Sequence, residues 1–191
     1  SYTIGEGVKE SERYPIQLKD KLKEVGINLN EVNIIAKTGW TTDELNAAID
    51  KQNPNSDYDL VTLLIGVNNQ YRGRDTANYR DEFAALLERA IGFTSSKENV
   101  IVISIPDWGV TPFAKEKGKD QQQVTTEIEI FNKINLEETL KRNIKYVDVT
   151  DISREALNDL SILAEDGLHP SGKMYSLWVD RIYPIAKSIL E

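Results

Sequence analysis

The sequence has no cysteine and a single histidine, His169. That excludes disulfides, iron–sulfur clusters, thiolate zinc sites and a cysteine nucleophile, as well as any metal site built on two or three histidines. Positive charge is in deficit, with 23 Lys and Arg against 31 Asp and Glu and a net charge of −8. No cluster of Lys and Arg offsets it, so the basic footprint needed to bind a nucleic-acid backbone is absent. Long apolar runs are absent too. None approaches the roughly 18–20 residues that cross a bilayer, and no membrane span is expected. The chain opens Ser1-Tyr2-Thr3 with no initiator Met, so an upstream segment is expected. Compartment and oligomeric state stay open.

What is present suits one ordinary domain over residues 1–191, with 40% hydrophobic residues to supply a core. Apolar periodicity switches repeatedly between period two and period 3.6. Asn33–Ala36, Leu60–Ile65, Val100–Ile105 and Tyr146–Val149 read as short strands rich in Val and Ile. Tyr14–Val25, Thr42–Gln52, Thr76–Ile91, Gln121–Asn143 and Ser171–Leu190 read as helices. Thr41 or Thr42, with Glu44 in the first turn, can cap one helix, and Gly26 and Gly92 sit where two others should stop.

Alternating strands and helices predict an α/β fold, a three-layer αβα sandwich around a parallel sheet. Four strands are visible, and a strand upstream of residue 1 would complete a five-stranded sheet. In such sheets ligands bind at the carboxyl ends of the strands. That directs attention to Ser1–Gly7, Thr38–Trp40, Gly66–Asn69, Pro106–Gly109 and the stretch from Thr150 to Gly172. Pro106–Lys119 reads as an irregular, site-covering loop.

Two phosphate-loop resemblances fail. Gly167–Lys173 fits G-x-x-x-x-G-K, but Met174 stands where Ser or Thr must hold Mg²⁺, and Pro170 removes a cradle N–H. Gly5-Glu6-Gly7 begins a dinucleotide fingerprint whose third glycine is replaced by Glu10, and Glu6 would repel a pyrophosphate.

Asp166-Gly167-Leu168-His169-Pro170 carries more. A histidine three residues after an acid can be a general base whose ring the carboxylate orients, although an incidental loop histidine fits the same spacing. A base needs a nucleophile, and the G-x-S-x-G elbow is absent. Ser104 lies in a buried-looking strand and Ser153 at a helix cap, whereas Ser1 would follow the expected first strand and enter a glycine-containing loop. Gly39 can present a backbone N–H and Asn68 a side-chain amide to an oxyanion, though either could be a simple turn residue.

Taken together, the blocks resemble the SGNH (GDSL-type) hydrolases. Ser1–Gly7 looks like their first block from its serine onward. Thr38-Gly39-Trp40-Thr41-Thr42 is similar to the second, Gly66-Val67-Asn68-Asn69 to the third and Asp166–Pro170 to the last, in family order over nearly the whole chain. The resemblance implies Ser1 as nucleophile, His169 as base and Asp166 as its orienting acid. Gly39, Asn68 and the Ser1 main-chain N–H would form the oxyanion hole. It also implies esterase, lipase, thioesterase or deacetylase activity without a cofactor or metal. Pro106–Phe113 looks like a segment of lysophospholipase-like members.

The Gly-Asp that precedes the family's serine is absent, and Asn69 replaces the usual Asp of the third block, which bears on how that loop is braced. The expected substrate is a small acyl ester, a lysophospholipid or an acylated sugar, with Trp40, Tyr71, Trp108 and Phe113 as pocket-lining aromatics and Arg72 and Arg74 as anion contacts. Activity should rise with pH as the imidazole loses its proton. The alternative is a non-catalytic domain of the same fold that binds a nucleotide, flavin or glycan.

Overall fold

Val100–Ile103 is the middle strand, β2, and all four of its side chains are fully buried. It pairs in parallel with β1 (Val61–Leu63) on one edge and β3 (Lys145–Val147) on the other. Successive side chains of a strand point to opposite faces. Ile101 and Ile103 enter a core shared with helices α1 (Tyr14–Glu24) and α8 (Gly172–Leu190). Val100 and Val102 enter a second core with α2 (Thr42–Gln52), α4 (Thr76–Gly92) and α6 (Gln121–Lys141). A strand covered on both faces must be apolar at every position, which is why its sequence reads VIVI. The computed structural model describes residues 1–191, and its architecture is the αβα sandwich.

The long helices fall where their periodicity placed them because their ends are signalled locally. Glu44 accepts from the Thr41 N–H at 2.8 Å at the start of α2. Asp75, Asp120 and Ser171 accept from Asn78, Gln123 and Met174 at the starts of α4, α6 and α8. Caps of this kind stabilise by about 1 kcal/mol each. The core on the α8 side is aromatic: Trp178 meets Tyr175 edge-on at 5.1 Å and Tyr14 at 6.2 Å.

The sheet has three strands, not five. Residues 33–36 run without a ladder partner, because no segment lies beside them to exchange backbone hydrogen bonds. Strand character in a sequence describes side chains, whereas a strand exists only in a pair. Three short helices also lie in the loops: α3 (Val67–Tyr71), α5 (Pro112–Glu116) and α7 (Thr150–Arg154). Helix α5 falls inside the stretch read as irregular. Its signal was present, with Thr111 capping at 3.2 Å and Pro112 at the first helical position.

Candidate active site

Asp166–Pro170 turns at Gly167, whose φ of +65° favours glycine. Asp166 organises the turn. Its Oδ1 accepts from the N–H groups of Leu168 and His169, each at 2.9 Å, and its Oδ2 lies 2.6 Å from His169 Nδ1. Burial pushes the Asp166 carboxyl up, but hydrogen bonds from the His169 ring and from the two loop N–H groups outweigh it, and the group sits below its ordinary value. An ionised carboxylate can only accept, so Nδ1 carries a ring proton, and in the neutral ring the lone pair is on Nε2.

The first loop is folded against this pair. Ser1 C=O accepts from Gly5 and Glu6 N–H at 2.9 and 3.2 Å, closing the turn. Tyr2 is buried and meets the His169 ring edge-on at 5.9 Å. Its C=O accepts from the Tyr175 hydroxyl at 2.7 Å, so α8, which follows the His169 turn, also grips the residue after Ser1. A Cβ on Gly7 would come within 3.4 Å of Asp166 Oδ2, a close approach that glycine permits. On its other side the loop meets the second block, where Thr38 Oγ1 donates to the Glu6 carboxylate.

Ser1, Trp40 and Asn68 line one recess of about 40 Å³.

Gly39 has φ +91° and donates no hydrogen bond within the chain, while its C=O accepts from Arg72 Nη2 at 2.6 Å. Its N–H is therefore unspent. Asn68 Nδ2 donates to Trp40 C=O at 3.0 Å, which commits one amide hydrogen and leaves the second. Arg72 and Arg74 pair with Glu44 and Asp43 at 3.3 and 3.6 Å, so both brace the second block.

Asn69 is fully buried and ties the second and third blocks together. Its Oδ1 accepts from Thr42 N at 3.1 Å and its Nδ2 donates to Thr42 Oγ1 at 2.7 Å. Thr42 Oγ1 gives its own hydrogen to Glu82, so it needs a donor from Asn69. An Asp there would face it with a second acceptor, and the amide fits where a carboxylate would not.

Among the aromatics, Trp108 is buried at 3% exposure and donates Nε1–H to Gln70 Oε1 at 2.7 Å. It packs between Tyr71 at 5.4 Å and Phe113 at 6.4 Å, and Tyr71 is largely exposed. Ser104 and Ser153 are buried and hydrogen-bonded within the core, inaccessible to any substrate. Sequence reasoning missed Tyr175, Gln70 and Arg72 as supports. Their partners are 173, 38 and 33 residues away, and no local pattern announces such contacts. No group of three or more His, Asp or Glu could hold a metal ion, and no helix is long and apolar enough to cross a membrane.

Fold and loops are those of the αβα hydrolases that act on ester bonds. More particularly, the profile of the GDSL-like lipase/acylhydrolase family matches residues 1–177, and the chain belongs to that family. It is a serine ester hydrolase. Several solved structures share the fold. "TesA" superposes with a TM-score of 0.70 at 18% identity, covering 99% of this chain and 95% of that one. A psychrotrophic esterase, EstA from Pseudoalteromonas sp., gives 0.67 at 16%, covering 98% and 92%. The acetyl xylan esterase Axe2 from Geobacillus stearothermophilus gives 0.63 at 20%, covering 91% and 80%. No curated protein sequence matches the chain.

Proposed function

We propose that the chain hydrolyses carboxylic esters of short acyl chains, with Ser1 as nucleophile, His169 as general base and Asp166 as the acid that orients it. The supporting observation is the 2.6 Å Asp166–His169 pair, whose ring packs against Tyr2, the neighbour of Ser1. His169 Nε2 takes the proton as Ser1 Oγ adds to the acyl carbonyl, and returns it to the departing alcohol. Water then repeats the sequence on the acyl-serine and releases the acid. Asp166 stabilises the imidazolium formed at each addition.

The negative oxygen of each tetrahedral intermediate is held by the Gly39 N–H and the second amide hydrogen of Asn68, with the Ser1 main-chain nitrogen as a third donor. A donor of this kind contributes about 10²–10³ in rate. The unspent Gly39 N–H supports this assignment. Trp40 lines the recess beside Ser1 and Asn68 and would contact the acyl group, while exposed Tyr71, backed by Trp108 and Phe113, would contact the alcohol. A fluorophosphonate probe tests the reading. It should label the wild-type chain once, at residue 1, and leave Ser1→Ala unlabelled and inactive on p-nitrophenyl acetate. Labelling elsewhere, or near-normal turnover by Ser1→Ala, overturns it.

A further inference from the structure

The arginines expected to meet an anion are spent, Arg72 on Glu44 and the Gly39 C=O, Arg74 on Asp43. Uncommitted positive charge lies instead beside the aromatic row of Tyr71, Trp108 and Phe113. Lys119 Nζ sits over the Tyr71 ring, 5.6 Å from its centroid, and Lys117 Nζ sits over the Phe113 ring at 5.4 Å. Lys119 is exposed and pairs with no carboxylate, while Lys117 meets Glu116 at 3.9 Å. Asp120, the acid next to Lys119 in the chain, is engaged in capping α6.

Local structure holds both ammonium groups there. Gly118, at φ +63°, follows the end of α5. Its N–H donates to the Lys115 C=O at 3.0 Å, and the Lys119 N–H donates to the Ala114 C=O at 2.9 Å. These paired bonds close a helix on a left-handed glycine. Lys117 thus leans back along α5 onto Phe113, one turn earlier, and Lys119 is carried across to Tyr71. A ring face attracts an ammonium group. The row itself is anchored, because Trp108 donates to Gln70, and Gln70 in turn donates to Glu127 on α6 at 2.6 Å.

The row also runs between the two halves of the site. Tyr71 follows Asn68 by one turn of α3. The Phe113 N–H donates at 3.2 Å to the C=O of Gly167, in the turn that carries His169. In the hydrolysis proposed above the acyl oxygen turns toward Asn68 and the departing alcohol toward His169, so the alcohol lies along this row. We infer that the alcohol carries an anionic group, a phosphate or a carboxylate, which Lys119 and Lys117 bind at the rim of the row. The placement of the ester rests on the catalytic reading, whereas the anion site stands on the lysines and the rings.

Two pairs of acetyl esters test it, O-acetylglycerol 3-phosphate against O-acetylglycerol and O-acetylgalacturonate against O-acetylgalactose. The anionic member of at least one pair should have the higher kcat/KM, by about tenfold for two exposed charge pairs, and added salt should shrink the difference. Preference in the glycerol pair alone assigns a glycerophosphate, in the sugar pair alone a uronate, and in both the charge itself. Lys117→Gln/Lys119→Gln should erase the preference. Lys23→Gln/Lys97→Gln makes the same charge change at the opposite end of the strands and should keep it. Equal kcat/KM within both pairs overturns the proposal, as does a preference that survives the first double variant or is lost equally in the second. A binding arm needs no turnover: glycerol 3-phosphate or galacturonate, titrated into Ser1→Ala, should shift the Tyr71 ring signals in NMR, with Kd raised about tenfold when both lysines are replaced. A chain that binds this way but hydrolyses no ester defeats the catalytic reading and keeps the anion site. One that hydrolyses p-nitrophenyl acetate but binds neither anion defeats the anion site alone.

Discussion

Asp166 performs two tasks with two oxygens, and substitution can separate them. Asp166→Ala removes the acceptor of both loop N–H groups and the partner of the His169 ring. A hydrogen bond to a charged group is worth about 1.5–3 kcal/mol. At about 1.36 kcal/mol per tenfold in rate, losing stabilisation of the imidazolium lowers kcat/KM by roughly 10- to 150-fold. Asp166→Asn keeps an oxygen for the loop N–H groups but turns an amide N–H toward Nδ1. The ring must then accept at Nδ1 and carry its proton on Nε2, the nitrogen that has to act as base. An enforced wrong tautomer costs up to about 10⁴ in rate. Asn should therefore be the less active variant and Ala the less stable one, by several degrees, since Ala loses two loop hydrogen bonds to a charged carboxylate. Turnover of p-nitrophenyl acetate and calorimetric Tm, measured on both proteins, decide it. If Asn is the more active of the two, or if both stay within tenfold of wild type, Asp166 does not set the tautomer of a catalytic base.

Asn69→Ala should lower Tm by about 3–10 °C, because it leaves the buried Thr42 N–H unpaired at about 1–3 kcal/mol; an unchanged Tm would mean that the second and third blocks do not need the bridge.

The parts of the molecule legible in its sequence are those whose causes are local. Helices α2 and α4 carry their own caps and periodicity, and the Thr42–Gln52 reading coincides with the observed helix. Asp166 and His169 lie within one turn, so their spacing already allowed the contact that the structure makes. Trp108 shows the limit of such reading. An aromatic residue on a site loop suggests a pocket wall, yet its indole is turned into the core by Gln70, a partner 38 residues away. Asn69 shows it in reverse. Its departure from the family's usual Asp gains a reason only once Thr42 is seen to have spent its hydrogen on Glu82.

Residues 33–36 extend the lesson from side chains to backbone. Val32, Ile34 and Ile35 have the composition of a strand and sit half-buried in a run without regular structure, but they join no sheet. In β2 the same kind of sequence is fully buried and paired on both sides. What separates the two segments is neighbours, and neighbours are a property of topology. Placement bears on the chemistry as well. Ser1 is held by its turn, by Tyr175 through Tyr2 and by Glu6 through Thr38. His169, by contrast, is fixed through its ring by Asp166 and through its backbone on both sides, its N–H on Asp166 and its C=O accepting from Ala164 N at 2.7 Å. An attacking oxygen misplaced by even 1 Å can cost about a hundredfold in rate, so in the proposed proton transfer the serine depends on these loop contacts as the imidazole depends on Asp166.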